Sequence, residues 1–140
     1  GTRIDYVALD GFDTHSDQAN SHAALLEQLG SALAAFAEDL ATHSHLDRVA
    51  TLVFSEFGRR VRENASRGTD HGAAAPVFVV GNKVKPGLLG KHPDLSKLDD
   101  GDLIHHTDFR SIYAALLQNW LGWPANVGLA GEFQPYELFV

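Results

Sequence analysis

Residues 4–54, IDYVALDGFDTHSDQANSHAALLEQLGSALAAFAEDLATHSHLDRVATLVF, carry the pattern that decides the fold. The stretch opens on a short, partly β-branched apolar run, Ile4 to Leu9, that ends at Asp10-Gly11, as a mostly buried strand entering a turn would. After a polar loop, Asn20 or Ser21 is placed to cap a helix in which Leu26, Leu29, Leu33, Phe36 and Leu40 recur at alternating intervals of three and four. Val49 to Phe54 then offers a second buried strand. Strand, helix, strand in this order predicts parallel pairing, with the apolar stripe of the helix laid on the sheet. The expected fold class is therefore α/β, with a mostly parallel sheet flanked by helices.

Working outward, Ser55 to Ala74 is rich in Arg and Gly and lacks periodicity, so it reads as a long functional loop. Ala75 to Val80 reads as a third strand, with Pro76 near its start where a missing N–H costs least. Asn82 to Asp102 is loop-forming in composition, with room for a small hairpin. Thr107 or Asp108 caps a second helix bearing Phe109, Ile112, Tyr113, Leu116, Leu117 and Trp120, ended by Gly122 and Pro124. The tail near Leu138 to Val140 is expected to add an edge strand. There is no internal repeat, and residues 1–140 read as one domain.

Of the 140 residues 44% are hydrophobic and 21% charged, which places the chain among globular domains. Such a length buries roughly 68–70% of the surface that its unfolded form exposes, enough for a core without cross-links. There is no cysteine, so disulfides, thiolate metal sites and Cys nucleophiles are excluded and any metal must take O and N ligands. The net charge of -7 argues against nucleic acid as a partner, because phosphate binding needs a basic footprint. No apolar stretch approaches the length of a membrane span and no signal-peptide pattern opens the chain, so neither is expected within it.

In an open α/β sheet, ligands gather outside the carboxyl ends of the strands. Asp13 and His15 follow the first expected strand, Glu56 follows the second in Ser55-Glu56-Phe57-Gly58, and Asp70-His71-Gly72 lies just ahead of the third. Together they form an O/N donor set suited to Zn or Mn. Plainer readings stand beside this one: Asp13 in an Asx turn, Glu56 paired with Arg59 or Arg60, Asp70-His71 hydrogen-bonded within a loop. His22, His43, His45 and His92 read as structural. His105 and His106 precede the second helix, either as solvated loop residues or within reach of the site. Arg59, Arg60, Arg62 and Arg67 crowd one loop. Guanidinium forks match phosphate and sulfate oxygens, which makes Arg59 and Arg60 candidate substrate-binding residues; the alternative is a surface balanced by Glu56, Glu63 and Asp70.

The strings GFDTHSDQ, FSEFGRRVRENASRGTDHG and TDFRSIYAALLQNWLG cover much of the chain. They resemble the C-terminal part of a large bacterial family of unknown function, the domain numbered fifteen-oh-one, which is grouped with the alkaline phosphatase and sulfatase superfamily. The resemblance implies a three-layer fold with a parallel sheet, one or two divalent ions, and a chain that forms the C-terminal half of a larger domain. It assigns Asp13, His15 and His71 to the first metal. For the second metal it expects Ser-Asp-His-Gly, where this sequence has Ser55-Glu56-Phe57-Gly58; Glu56 keeps a carboxylate and Phe57 replaces the histidine. A different alignment gives Asp70-His71 to the second metal and makes His106 the late histidine. The first is preferred because an apolar run, APVFVV, closely follows His71.

The resemblance further implies that the Ser or Thr nucleophile comes from an N-terminal half outside these residues, and that the protein is exported. The function expected is a metal-dependent hydrolase of phosphate or sulfate esters acting on an anionic small molecule or glycan ester. The alternative is a non-catalytic anion- or glycan-binding module that retains the fold.

Overall fold

The computed structural model describes residues 3–140. Its order is α1 (Gln18–Thr42), a 3-10 turn (Leu46–Arg48), β1 (Thr51–Val53), β2 (Gly58–Glu63), β3 (Thr69–Gly72), β4 (Phe78–Val80), β5 (Leu98–Asp99), β6 (Asp102–Leu103), α2 (Phe109–Ala115), a π-helical continuation (Leu116–Trp120) and α3 (Ala125–Leu129). The chain is mixed α/β.

The strands form three two-stranded antiparallel sheets, β1 with β4, β2 with β3 and β5 with β6. This corrects the expectation of a mostly parallel sheet. The order strand, helix, strand predicts parallel pairing only if the first run bonds to the second, and Ile4 to Leu9 makes no backbone hydrogen bond among the described residues. It runs extended and open to solvent, with Val7 89% exposed. An apolar run thus specified an extended backbone without specifying its neighbour. Val49 to Phe54 does yield a strand, β1, but its partner is the third run, in the register Thr51↔Val80, Leu52↔Val79, Val53↔Phe78. The β2–β3 hairpin lies in the connection between them.

That hairpin is the second correction, since residues 55–74 read as a loop without regular structure. Its sequence hid the strands because Arg, Glu, Asp and Gly fill β2 and β3, and the hairpin is held by pairing across the strands and to its neighbours rather than by an apolar face.

Helix α1 carries the expected stripe, yet none of its residues is fully buried, and Leu26 and Phe36 remain exposed. The small core among the described residues gathers at the other end, from Ala114, Ala115, Ala125 and Leu138. Helix α2 begins as expected: the Asp108 side chain accepts from the Arg110 N–H, and Arg110 returns a guanidinium contact to the same carboxylate. The small hairpin expected in the long loop is β5–β6. Near the C-terminus, in place of an edge strand, a single bridge joins Val84 to Phe139, flanked by bonds from Lys85 N–H to the Leu138 carbonyl and from Val140 N–H to the Lys83 carbonyl. Among the described residues no helix is long and apolar enough to cross a membrane.

Candidate metal centre

Two segments build the site. The first is the loop between Gly11, whose positive φ of 98° turns the chain, and the start of α1. Within it Thr14 N–H bonds back to the Phe12 carbonyl at 2.9 Å, a tight turn that presents Asp13 and His15 together. The second is the β2–β3 hairpin, in register Gly58↔Gly72 and Arg59↔His71, with an irregularity before Glu63↔Thr69.

The hairpin turn is tied to the loop by several bonds. The N–H groups of Asp17 and Gln18, at the open end of α1, donate to the carbonyls of Ser66 and Arg67. Free N–H groups at a helix start need acceptors, and here the neighbouring turn supplies them because Asp17 makes no side-chain cap. Arg67 pairs with Asp17, and the Thr69 hydroxyl donates to the Gln18 side chain at 2.8 Å. Asn64 is the hinge pin of the turn. Its oxygen accepts from Ser66 N–H and Gly68 N–H, while its nitrogen donates to the His15 carbonyl at 3.0 Å and to Asp70 at 3.2 Å. Gly68 lies so close that a Cβ there would fall 2.3 Å from the His15 carbonyl oxygen, so only glycine permits this approach.

The result is a convergence of three donor atoms. Asp13 Oδ1 lies 2.8 Å from His71 Nε2 and 2.9 Å from His15 Nε2, and the two imidazole nitrogens are 3.1 Å apart. Two ligands each about 2.0–2.1 Å from one cation are about 2.9 Å apart at a right angle and about 3.3 Å apart at the tetrahedral angle, so the triangle matches right-angled coordination and is tighter than a tetrahedral site. The donors themselves, one carboxylate oxygen and two imidazole nitrogens, suit Zn, Mn or a similar ion. Two protonated Nε2 groups would oppose each other's N–H dipoles at this distance, so at least one of the rings presents a lone pair to the triangle. The set is accessible, with the Asp13 side chain 67% exposed and both histidines 44% exposed, so one side stays open to solvent.

The Asp13 carboxyl is held below its ordinary value of 3.8, chiefly by the hydrogen bond from His71, against a smaller opposing loss of hydration and with a further bond from His15. It is therefore an anion at neutral pH.

The other expected site residues fall elsewhere. Asp70 stands behind His15, with its Oδ1 3.7 Å from His15 Nδ1, and does not join the three donors. Glu56 is exposed and also lies outside the group, although its neighbour Phe57 stacks on His71. Arg59 spends its guanidinium on the chain itself, donating to the carbonyls of Thr69 and Phe12 and, at 3.3 Å, to the Thr14 hydroxyl. Arg60, next along β2, points away from Arg59 by strand alternation and faces Asp100 at 3.9 Å, so the two arginines do not converge on one anion. His106 bonds the Lys91 backbone and Thr107, away from the three donors. His22 packs edge-on against Phe12 beneath the loop.

Sequence reasoning missed Asn64 and Gly68. The signal was present, since Asn64 and a Gly four residues later are turn chemistry, but it names a turn and not the surface the turn will meet.

No curated protein and no solved structure matches the chain. Residues 1–119, which hold both site segments and α2, match the family described as "Protein of unknown function (DUF1501)", and the chain belongs to that family.

Proposed function

We propose that the chain is the metal-holding part of a hydrolase of phosphate or sulfate esters, with Asp13, His15 and His71 as ligands of one divalent ion. The observation that supports this reading most is the convergence of Asp13 Oδ1, His15 Nε2 and His71 Nε2 at 2.8–3.1 Å on an accessible surface. Three protein ligands with an open side are the arrangement of catalytic rather than structural metal sites. A divalent cation supplies positive charge that polarises an ester oxygen. The residues of the chain do the rest: Asp13 offsets the ion's charge, His15 and His71 fix its place, and Asn64 locks the two segments together. The nucleophile is assigned, by the likeness to alkaline phosphatases and sulfatases, to residues outside 1–140. Zn or Mn is the expected ion, and Glu56 the remaining candidate for a second.

The alternative, an anion- or glycan-binding module without catalysis, loses support because the Arg59 guanidinium is already engaged by backbone oxygens.

The test begins with metal content. The 140-residue chain is expected to bind one equivalent of Zn or Mn, and His71→Ala to weaken binding by more than the roughly 10–100-fold that loss of an outer-shell partner costs. His92→Ala, in an exposed loop, is expected to leave binding unchanged; it is a better control than His22, which supports the Asp13 loop through Phe12. In the full-length polypeptide, chromogenic phosphate and sulfate esters are expected to turn over with Zn or Mn added and to stall with a chelator. Absence of metal binding in the unaltered chain overturns the reading.

A further inference from the structure

We infer that Phe57 is a positioning residue of the candidate metal centre, holding the His71 imidazole so that its Nε2 faces the other two donors. The inference rests on the metal reading above and adds a residue to it.

Histidines that bind metals commonly donate their second ring N–H to a carboxylate or carbonyl, which fixes the ring's rotation. His15 has such a group nearby in Asp70, 3.7 Å from its Nδ1. His71 has no hydrogen bond at Nδ1 among the described residues. What it has is Phe57: the two rings are stacked, with centroids 3.9 Å apart and planes 8° from parallel. Rotating the imidazole about its Cβ–Cγ bond would break this face-to-face contact, so the stack does the orienting that a hydrogen bond does for other ligands.

Phe57 is in turn held. The Arg59 guanidinium lies over its ring at 5.1 Å and is fixed by the Thr69 and Phe12 carbonyls. Arg59 and His71 are cross-strand partners, and Phe57, just ahead of β2, stacks on His71 and lies under Arg59, so all three gather on one face of the hairpin. An imidazole bound to a cation is electron-poor and stacks more favourably on the electron-rich face of a phenyl ring. Phe57 therefore favours the metal-bound form over the free one, a distinction that an ordinary packing residue would not make. The phenylalanine that seemed only to displace a second-metal ligand acts here through the first.

The test is titration of the 140-residue chain with Co2+, read by the visible ligand-field spectrum and by calorimetry. Phe57→Leu is expected to weaken binding roughly tenfold and to alter the intensity of the Co2+ bands, with little change in the melting temperature of the metal-free protein. Phe57→Tyr, which keeps the ring face, is expected to restore affinity and spectrum. Unaltered chain that binds Co2+ while Phe57→Leu binds it equally, with the same spectrum, overturns the role of Phe57 and leaves the metal reading standing. Failure of the unaltered chain to bind overturns both. Should Phe57→Leu not fold, the unaltered chain decides the matter: the ring-current shift of the His71 ring protons is expected to persist on loading with Zn2+, and its disappearance overturns the inference.

Discussion

The Asn64 side chain donates to the His15 carbonyl and to Asp70 while its oxygen accepts from the N–H groups of Ser66 and Gly68. No aliphatic side chain can replace these four bonds, and the groups freed by its loss sit where the hairpin turn presses on the loop. Asn64→Ala is therefore expected to destabilise the fold by about 1–3 kcal/mol. Under the proposed metal reading it is also expected to weaken Zn binding roughly tenfold, since the two segments that carry the donors lose their join. Thermal denaturation and calorimetric titration check the two effects, and unchanged affinity would show that the segments are held together without Asn64. At this scale the three residues that converge were legible as candidate donors. Asp13, His15 and His71 stand out because aspartate and histidine beside glycine-rich turns are recognisable chemistry. Asp70 looked like an equal, because sequence gives residue type and spacing; its place behind His15 depends on the irregular register between Arg59↔His71 and Glu63↔Thr69.

Among the elements, α2 was legible from both its three-and-four periodicity and its cap, Asp108, whereas α1 was legible from periodicity alone: it begins at Gln18 after an uncapped Asp17, which puts the expected cap residues Asn20 and Ser21 inside the helix. The cap of α2 also carries a pH dependence. Hydrogen bonds from the Arg110 side chain and backbone lower the Asp108 carboxyl from 3.8 to about 2. A carboxyl depressed by folding stabilises the folded state when ionised; the contribution is complete above the unfolded value near 3.8 and is lost as pH falls toward about 2. The expected outcome is that Asp108→Ala melts below the unaltered protein by a constant margin above about pH 5, and that the margin shrinks between pH 4 and pH 2. A margin that stays flat across that range would mean the carboxylate charge contributes nothing. The strands were harder. Val49 to Phe54 and Ala75 to Val80 announced themselves as extended, but two apolar runs pair in either sense, and the sense was set by a hairpin too polar to be recognised.

For the whole molecule, the accessible surface of 10099 Å² stands against the roughly 7,100 Å² expected of a compact monomer of 15.2 kDa. The excess is apolar in part: Ile4, Tyr6, Val7, Leu26 and Phe36 are all exposed, and among the described residues the buried hydrophobic positions are three alanines and Leu138. Methyl groups of alanine contribute little of the burial that offsets chain entropy, so hydrophobic stabilisation is thin for a chain of this length. The 140 residues in isolation are therefore expected to unfold with low cooperativity, to bind a hydrophobic dye before melting, and to show a calorimetric enthalpy well below the about 100 kcal/mol typical of a tightly packed chain of this size. Zinc is expected to raise the melting temperature, because under the proposed reading the ion would join the Asp13–His15 loop to the hairpin only in the folded state. A sharp transition with full enthalpy and no dye binding would show that the packing is tighter than this surface implies. If the unaltered chain binds zinc yet gains no stability from it, the three donors must already lie together in the unfolded ensemble, and the hairpin and loop would then owe their meeting to something other than the fold.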